Sequence, residues 1–128
     1  MTSLTRVLIA FSIAAAPTLV QAQPAQIDAV AASPAQFRVL LNNEHVRVVE
    51  YVLQPGQRDQ WHTHPPKVSY IVEGGTLRIH LEDGTSFLSE ETQGEAVWMG
   101  ALPRHYAENV GSTPVRIVLM EVKSAASD

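Results

Sequence analysis

The sequence predicts an all-β fold, a closed sandwich or barrel, and three observations carry that prediction. Beyond Phe37 no stretch keeps a 3.6-residue apolar period long enough for a substantial helix. β-Branched and aromatic residues instead come in short runs at regular intervals. The gaps between the runs hold Gly, Pro, Asn and Asp, the residues that turns require. Many short strands joined by such turns close into a sandwich or a barrel.

Val46–Leu53 reads as a strand that stops at Gln54, Pro55 and Gly56, where Pro presets the turn and Gly tolerates positive φ. Residues 60–64 form a short extended piece. Residues 68–72 make a strand ended by Gly74 and Gly75. Residues 76–81 alternate, with Leu77, Ile79 and Leu81 on one face. Asp83-Gly84 between two such runs is a hairpin signal. Ala96–Met99, residues 105–110 and Val115–Val122 complete the set, the last two divided by a turn holding Gly111 and Pro114. The final strand is nearly apolar on both faces, so it is either central in a sandwich or covered by a partner subunit. A homodimer with that strand in the contact is expected; a monomer at micromolar concentration by light scattering would count against it.

Composition narrows the function. Net charge is −4, the only lysines are Lys67 and Lys123, and no basic run occurs, so no nucleic-acid partner is expected. The chain of 128 residues has no cysteine, which excludes disulfides, thiolate nucleophiles and thiolate metal sites. Any metal must be held by imidazole or oxygen. At the N-terminus, Arg6, a short apolar run and the close Val20-Gln21-Ala22 read as a secretory signal over residues 1–22. The alternatives are an uncleaved anchor or a buried first helix. Residues 23–36, rich in Ala, Gln and Pro, read as a linker or N-terminal arm, residues 37–123 as the barrel and 124–128 as a tail. A periplasmic or secreted protein follows, with no membrane association once the signal is cleaved.

The stretch WHTHPP, residues 61–66, carries the chemistry. Strand side chains alternate, so His62 and His64 project to one face with alpha carbons roughly 6.5 Å apart at ~3.3 Å rise per residue. Two imidazoles so placed converge on one ion about 2.1 Å from each nitrogen, or form a surface pair on a loop. Pro65 and Pro66 hold the preceding backbone extended. His105, opening a strand after a turn, is the candidate third ligand from another segment. His45 and His80 read as solvated or half-buried histidines.

These residues resemble the cupin superfamily. Its first motif, Gly, five residues, His-x-His, then a Glu and a Gly, is matched by Gly56, His62, His64 and Gly75. Its second, which ends in His, three residues and Asn, is matched by Gly94, His105 and Asn109. The similarity runs from about Val46 to Val122. The resemblance implies a cupin-type β-barrel, the double-stranded β-helix or jelly roll, with His62, His64 and His105 on a divalent metal. Two departures stand out. The first-motif Glu position falls at Val68, between Lys67 and Ser69, and Gly100 and Leu102 stand where Pro and Gly are usual.

The resemblance implies a small-molecule substrate and Fe(II) as the favoured ion, with Zn, Mn or Ni as alternatives. Three neutral histidines leave the ion's charge to be balanced by an anionic ligand, which favours an enolate or a carboxylate. If His62 and His64 face inward, so does Gln60; Val68, Tyr70 and Val72 correspond to the family's inward face. Tyr70 is the candidate catalytic residue, giving a hydrogen bond or proton to substrate, or else a core tyrosine with a satisfied hydroxyl. Arg104 either pairs with a substrate carboxylate or is a solvated turn residue. The expected activity is that of a metal-dependent dioxygenase. The alternatives are isomerase, lyase or decarboxylase chemistry with the metal as Lewis acid, and a small-molecule-binding cupin without turnover.

Overall fold

The computed structural model describes residues 15–22 and 25–124. Most of the expected secretory signal, residues 1–14, lies outside the described residues, as do residues 125–128 of the tail. One short helix, α1 (Ala29–Ala32), precedes eight strands: β1 (Phe37–Asn42), β2 (Val46–Leu53), β3 (Lys67–Glu73), β4 (Gly75–Leu81), β5 (Ser86–Glu91), β6 (Ala96–Met99), β7 (His105–Asn109) and β8 (Val115–Val122). They form a five-stranded sheet in the order β1-β2-β8-β3-β6 and a three-stranded sheet in the order β5-β4-β7. Every pairing between these strands is antiparallel.

Each strand ends where turn chemistry takes over. After β2, Gln57 N–H donates to Gln54 O at 3.0 Å and Gly56 sits at φ +78°, a conformation that favours glycine. The β4–β5 hairpin turns at Asp83 and Gly84, where the Asp83 carboxylate accepts from Thr85 N–H at 2.8 Å. At Gly75 a β-carbon would lie 2.9 Å from a Val115 methyl, so only a bare backbone fits there.

The apolar character of β8 has a simple cause: it is an inner strand, hydrogen-bonded to β2 along one edge and β3 along the other. Its inward row is Val115, Ile117, Leu119 and Glu121, all buried. Val115, Ile117 and Leu119 make one core between the sheets with Val49, Leu53, Ile71 and Leu77. Leu53 and Val115, paired in register, are fully buried.

Two regions differ from expectation. Strand β1 pairs with β2 from Phe37, with a bulge between Val39 and Leu41. The arm is also tied down. Asp28 caps α1 by accepting from Ala31 N–H, and residues 27–28 pair alongside Thr63. Ile27 N–H donates to Thr63 Oγ1 at 3.0 Å and Gln60 N–H to Ser33 Oγ at 2.9 Å. The arm therefore straps the segment that bears His62 and His64. Its composition gives no sign of this, because polar backbone pairing and a one-turn helix leave no apolar period.

Candidate metal centre

His62, His64 and His105 meet at one point. Their candidate ligand nitrogens lie within 4.8 Å of one another, and all three residues are buried. The backbone brings them there directly. His62 and His105 form an antiparallel bridge, His62 N–H donating to His105 O at 2.9 Å and His105 N–H to His62 O at 3.0 Å. This bridge joins the His62–His64 segment to the first residue of β7.

Each ring is aimed by its other nitrogen. His62 Nδ1 lies 2.7 Å from Gln60 O, and His105 Nδ1 lies 2.8 Å from Pro103 O. His64 Nδ1 lies 3.0 Å from Glu121 Oε1. A carbonyl or carboxylate oxygen only accepts, so Nδ1 carries the proton in every case and Nε2 keeps its lone pair. Burial, only partly opposed by these bonds, pushes His64 and His105 down to about 4, and His62 also lies below its ordinary value. All three are neutral at pH 7. Three neutral imidazoles with free Nε2 atoms and oriented Nδ1–H groups are the donor set a divalent ion requires, and these residues fit one.

Glu121 anchors the arrangement from β8. Burial works to raise its pKa, but hydrogen bonds from His64 and from Arg47 Nε, at 2.6 Å, outweigh it and hold the carboxyl at about 2. Arg47 also binds Asp28 of the arm. Asp59, likewise buried, accepts from Tyr51 Oη and Ala107 N–H, both at 2.8 Å, and burial pushes it up to about 6.

The histidines lie in the wall of a cavity of about 230 Å³ that both sheets line. Leu77, Ile79, Val97, Leu102 and Leu119 make it largely apolar; Lys67, Ser69 and Asp59 add polar groups. Lys67 is 4% exposed, and its Nζ lies 3.3 Å from Met99 Sδ.

The three expected ligands come together, and the other three expected site residues do not join them. Tyr70 is 43% exposed, because Lys67, Ser69 and Ile71 take the inward positions of β3 and leave Val68, Tyr70 and Val72 outside. Gln60 has an exposed side chain and serves through its carbonyl, since the segment before His62 is not a regular strand. Arg104 is solvated, 3.3 Å from Glu82 Oε2, with its guanidinium over the Trp61 ring. His80 stacks on Tyr106 outside the cavity, and His45 is exposed. Sequence reading gave no inward role to Lys67 or Glu121. The available signal was a lone carboxylate in the otherwise apolar alternate row Val115, Ile117 and Leu119, and a lysine two residues from Ser69 and four from Ile71 on one face of β3.

The comparisons agree with this geometry. The family profile described as "Cupin domain" matches residues 49–121, more than half of the chain. Among curated proteins none matches. Among solved structures, a cupin domain from Bordetella pertussis is 28% identical, with TM-score 0.63 over 69% of this chain and 92% of its own. An uncharacterized conserved protein with a double-stranded β-helix domain from Klebsiella pneumoniae is 22% identical, with TM-score 0.56 over 74% of this chain and 84% of its own. A DMSP lyase, DddQ, from Ruegeria pomeroyi is 13% identical, with TM-score 0.50 over 73% of this chain and 50% of its own. At those identities the last two speak for the fold alone.

Proposed function

The chain belongs to the cupin domain family, and from that premise we propose that it is a metal-dependent enzyme acting on a small, oxygen-rich anion, with dioxygenase chemistry as its reaction. The observation that supports this most is the ligand set: three neutral histidines on the wall of a small cavity, with no carboxylate among the clustered ligands. A divalent metal held by His62, His64 and His105, Fe(II) being favoured, supplies open coordination positions for a substrate oxygen and for dioxygen.

The chain's own residues do the rest. Gln60 O, Pro103 O and the Glu121 carboxylate fix the three rings through Nδ1–H. Glu121 also makes the His64 ring a stronger donor than a carbonyl partner would. Leu77, Ile79, Val97, Leu102 and Leu119 exclude water, which strengthens every charge interaction inside. The neutral ligands leave the ion's charge uncompensated, so the site selects an anion such as an enolate or carboxylate.

Metal analysis of the purified protein, with oxygen uptake on a panel of enolic and diketone compounds, tests the reading. The wild-type chain is expected to retain a divalent ion and consume oxygen; His62→Ala and His105→Ala lose the ion. Full occupancy in both variants overturns the ligand assignment. Turnover without oxygen consumption replaces dioxygenation with Lewis-acid isomerase, lyase or decarboxylase chemistry.

A further inference from the structure

The Lys67 side chain is costly where it stands. It is 4% exposed, lines the cavity with the three histidines, and makes its hydrogen bond to a thioether, a weak acceptor. Among the described residues it pairs with no carboxylate. Glu121, its register partner on β8, has one oxygen on His64 and the other on Arg47. Glu91, the other carboxylate whose field reaches it, accepts from Ser89 Oγ at 2.7 Å. A buried ammonium without an anion is strongly unfavourable. Burial lowers its pKa to about 8, which still leaves it mostly charged at pH 7. Every other buried charged or titratable group at this end has its polar partners: Asp59 has Tyr51 and Ala107, and Glu121 has His64 and Arg47.

We propose that Lys67 is the substrate-anchoring residue of the cavity, its ammonium receiving one oxygen of a small organic carboxylate whose remaining oxygen is directed to the three histidines. The proposal rests on the metal reading above and adds a specificity determinant to it. The volume, about 230 Å³, is below the ~300–1,000 Å³ of sites for drug-sized ligands, so the acid is a short one. The three histidines are neutral and Glu121 is neutralised by Arg47; Lys67 is the one cationic side chain among the cavity's lining residues, which also include Asp59, Glu90 and Glu91.

Oxalate is the probe. Its dissociation constant is measured by titration calorimetry on the full-length protein loaded with zinc, as wild type, Lys67→Met and Lys67→Arg, with zinc content measured in parallel. Methionine matches lysine in length and suits the apolar surroundings, so Lys67→Met is expected to fold with an equal or higher Tm and to keep its zinc. Oxalate affinity is expected to fall at least tenfold in Lys67→Met and to recover in part in Lys67→Arg. Equal oxalate affinity in wild type and Lys67→Met, with zinc retained, overturns the proposal, as does a wild type that binds no oxalate. A wild type that holds no zinc yet binds oxalate, with binding lost in Lys67→Met, overturns the metal reading and upholds Lys67.

Discussion

The two ends of the barrel are built from the same strands and have opposite chemistry. Along β8 the inward row runs from Val115 through Ile117 and Leu119 to Glu121; along β3 it runs from Ile71 through Ser69 to Lys67. Along β7 it runs from Asn109 through Ala107 to His105. One end is closed by Leu53, Ile71, Leu77 and Val115. Its one buried amide, Asn109, donates to Leu53 O at 2.9 Å and Thr113 O at 2.8 Å and accepts from Gly111 N–H at 3.0 Å. Apart from Arg116 Nε, which lies 3.5 Å from Glu73 Oε2, no buried side-chain polar atom there lacks a hydrogen-bond partner among the described residues. At the other end, three imidazole nitrogens and one ammonium keep bonding capacity that the protein does not use. Polar burial that is saturated serves stability; polar burial left open is kept for something that arrives.

Damage to either end should therefore separate the two properties. The largest stability effect is expected from Leu53→Ala, about 2–5 kcal/mol by denaturant unfolding, since Leu53 has no exposure and its cavity has nothing to refill it. Metal affinity per folded molecule should not move; a parallel loss would show that the ends are one unit. Next comes Glu121→Gln, which removes the charge behind His64 Nδ1 and should weaken zinc binding about 10–100-fold in a chelator competition. An unchanged constant would make Glu121 a folding residue only.

A third effect is on pH. In the metal-free protein, His64 and His105 are held near 4 against an ordinary 6.5. Between pH 6.5 and 4 the unfolded chain thus binds more protons than the folded one, and stability falls as pH drops through that window. Asp59, pushed up to about 6 from 3.8, opposes this over most of the same range, because its folded form takes up a proton first. Two groups outweigh one, so Tm should decline from pH 7 to 4.5. A flat or rising Tm would mean that the open end carries less electrostatic cost than the closed end lets one infer.

Much of the architecture is legible in the sequence because turn residues mark it: β2, β6 and β8 have the bounds that Gln54-Pro55-Gly56, Gly100 and Pro114 suggest. His62 and His64 are legible for a similar reason, a two-residue spacing that only an extended backbone makes useful; His105 is legible from its place at the start of a strand after a turn and from the motif it matches. The inward face of β3 is not. Val68, Tyr70 and Val72 are its apolar alternates, and correspondence with the resembled family's inward face, which agrees with the rule that apolar residues point inward, selects them. At a functional cavity the rule inverts, and Lys67 and Ser69 are inside. Gln60 and Arg104 are misplaced for want of tertiary information: neither a broken strand nor a guanidinium resting on Trp61 leaves a local pattern.

The line from Asp28 through Arg47 and Glu121 to His64 has one more consequence. The family profile begins at residue 49 and the first strand at Phe37, yet the electrostatic tuning of a metal ligand reaches back to Asp28. The smallest piece that holds the three histidines with their full set of polar partners is therefore longer than the smallest piece that reproduces the shape. A boundary drawn by homology alone would cut through the wiring of the site.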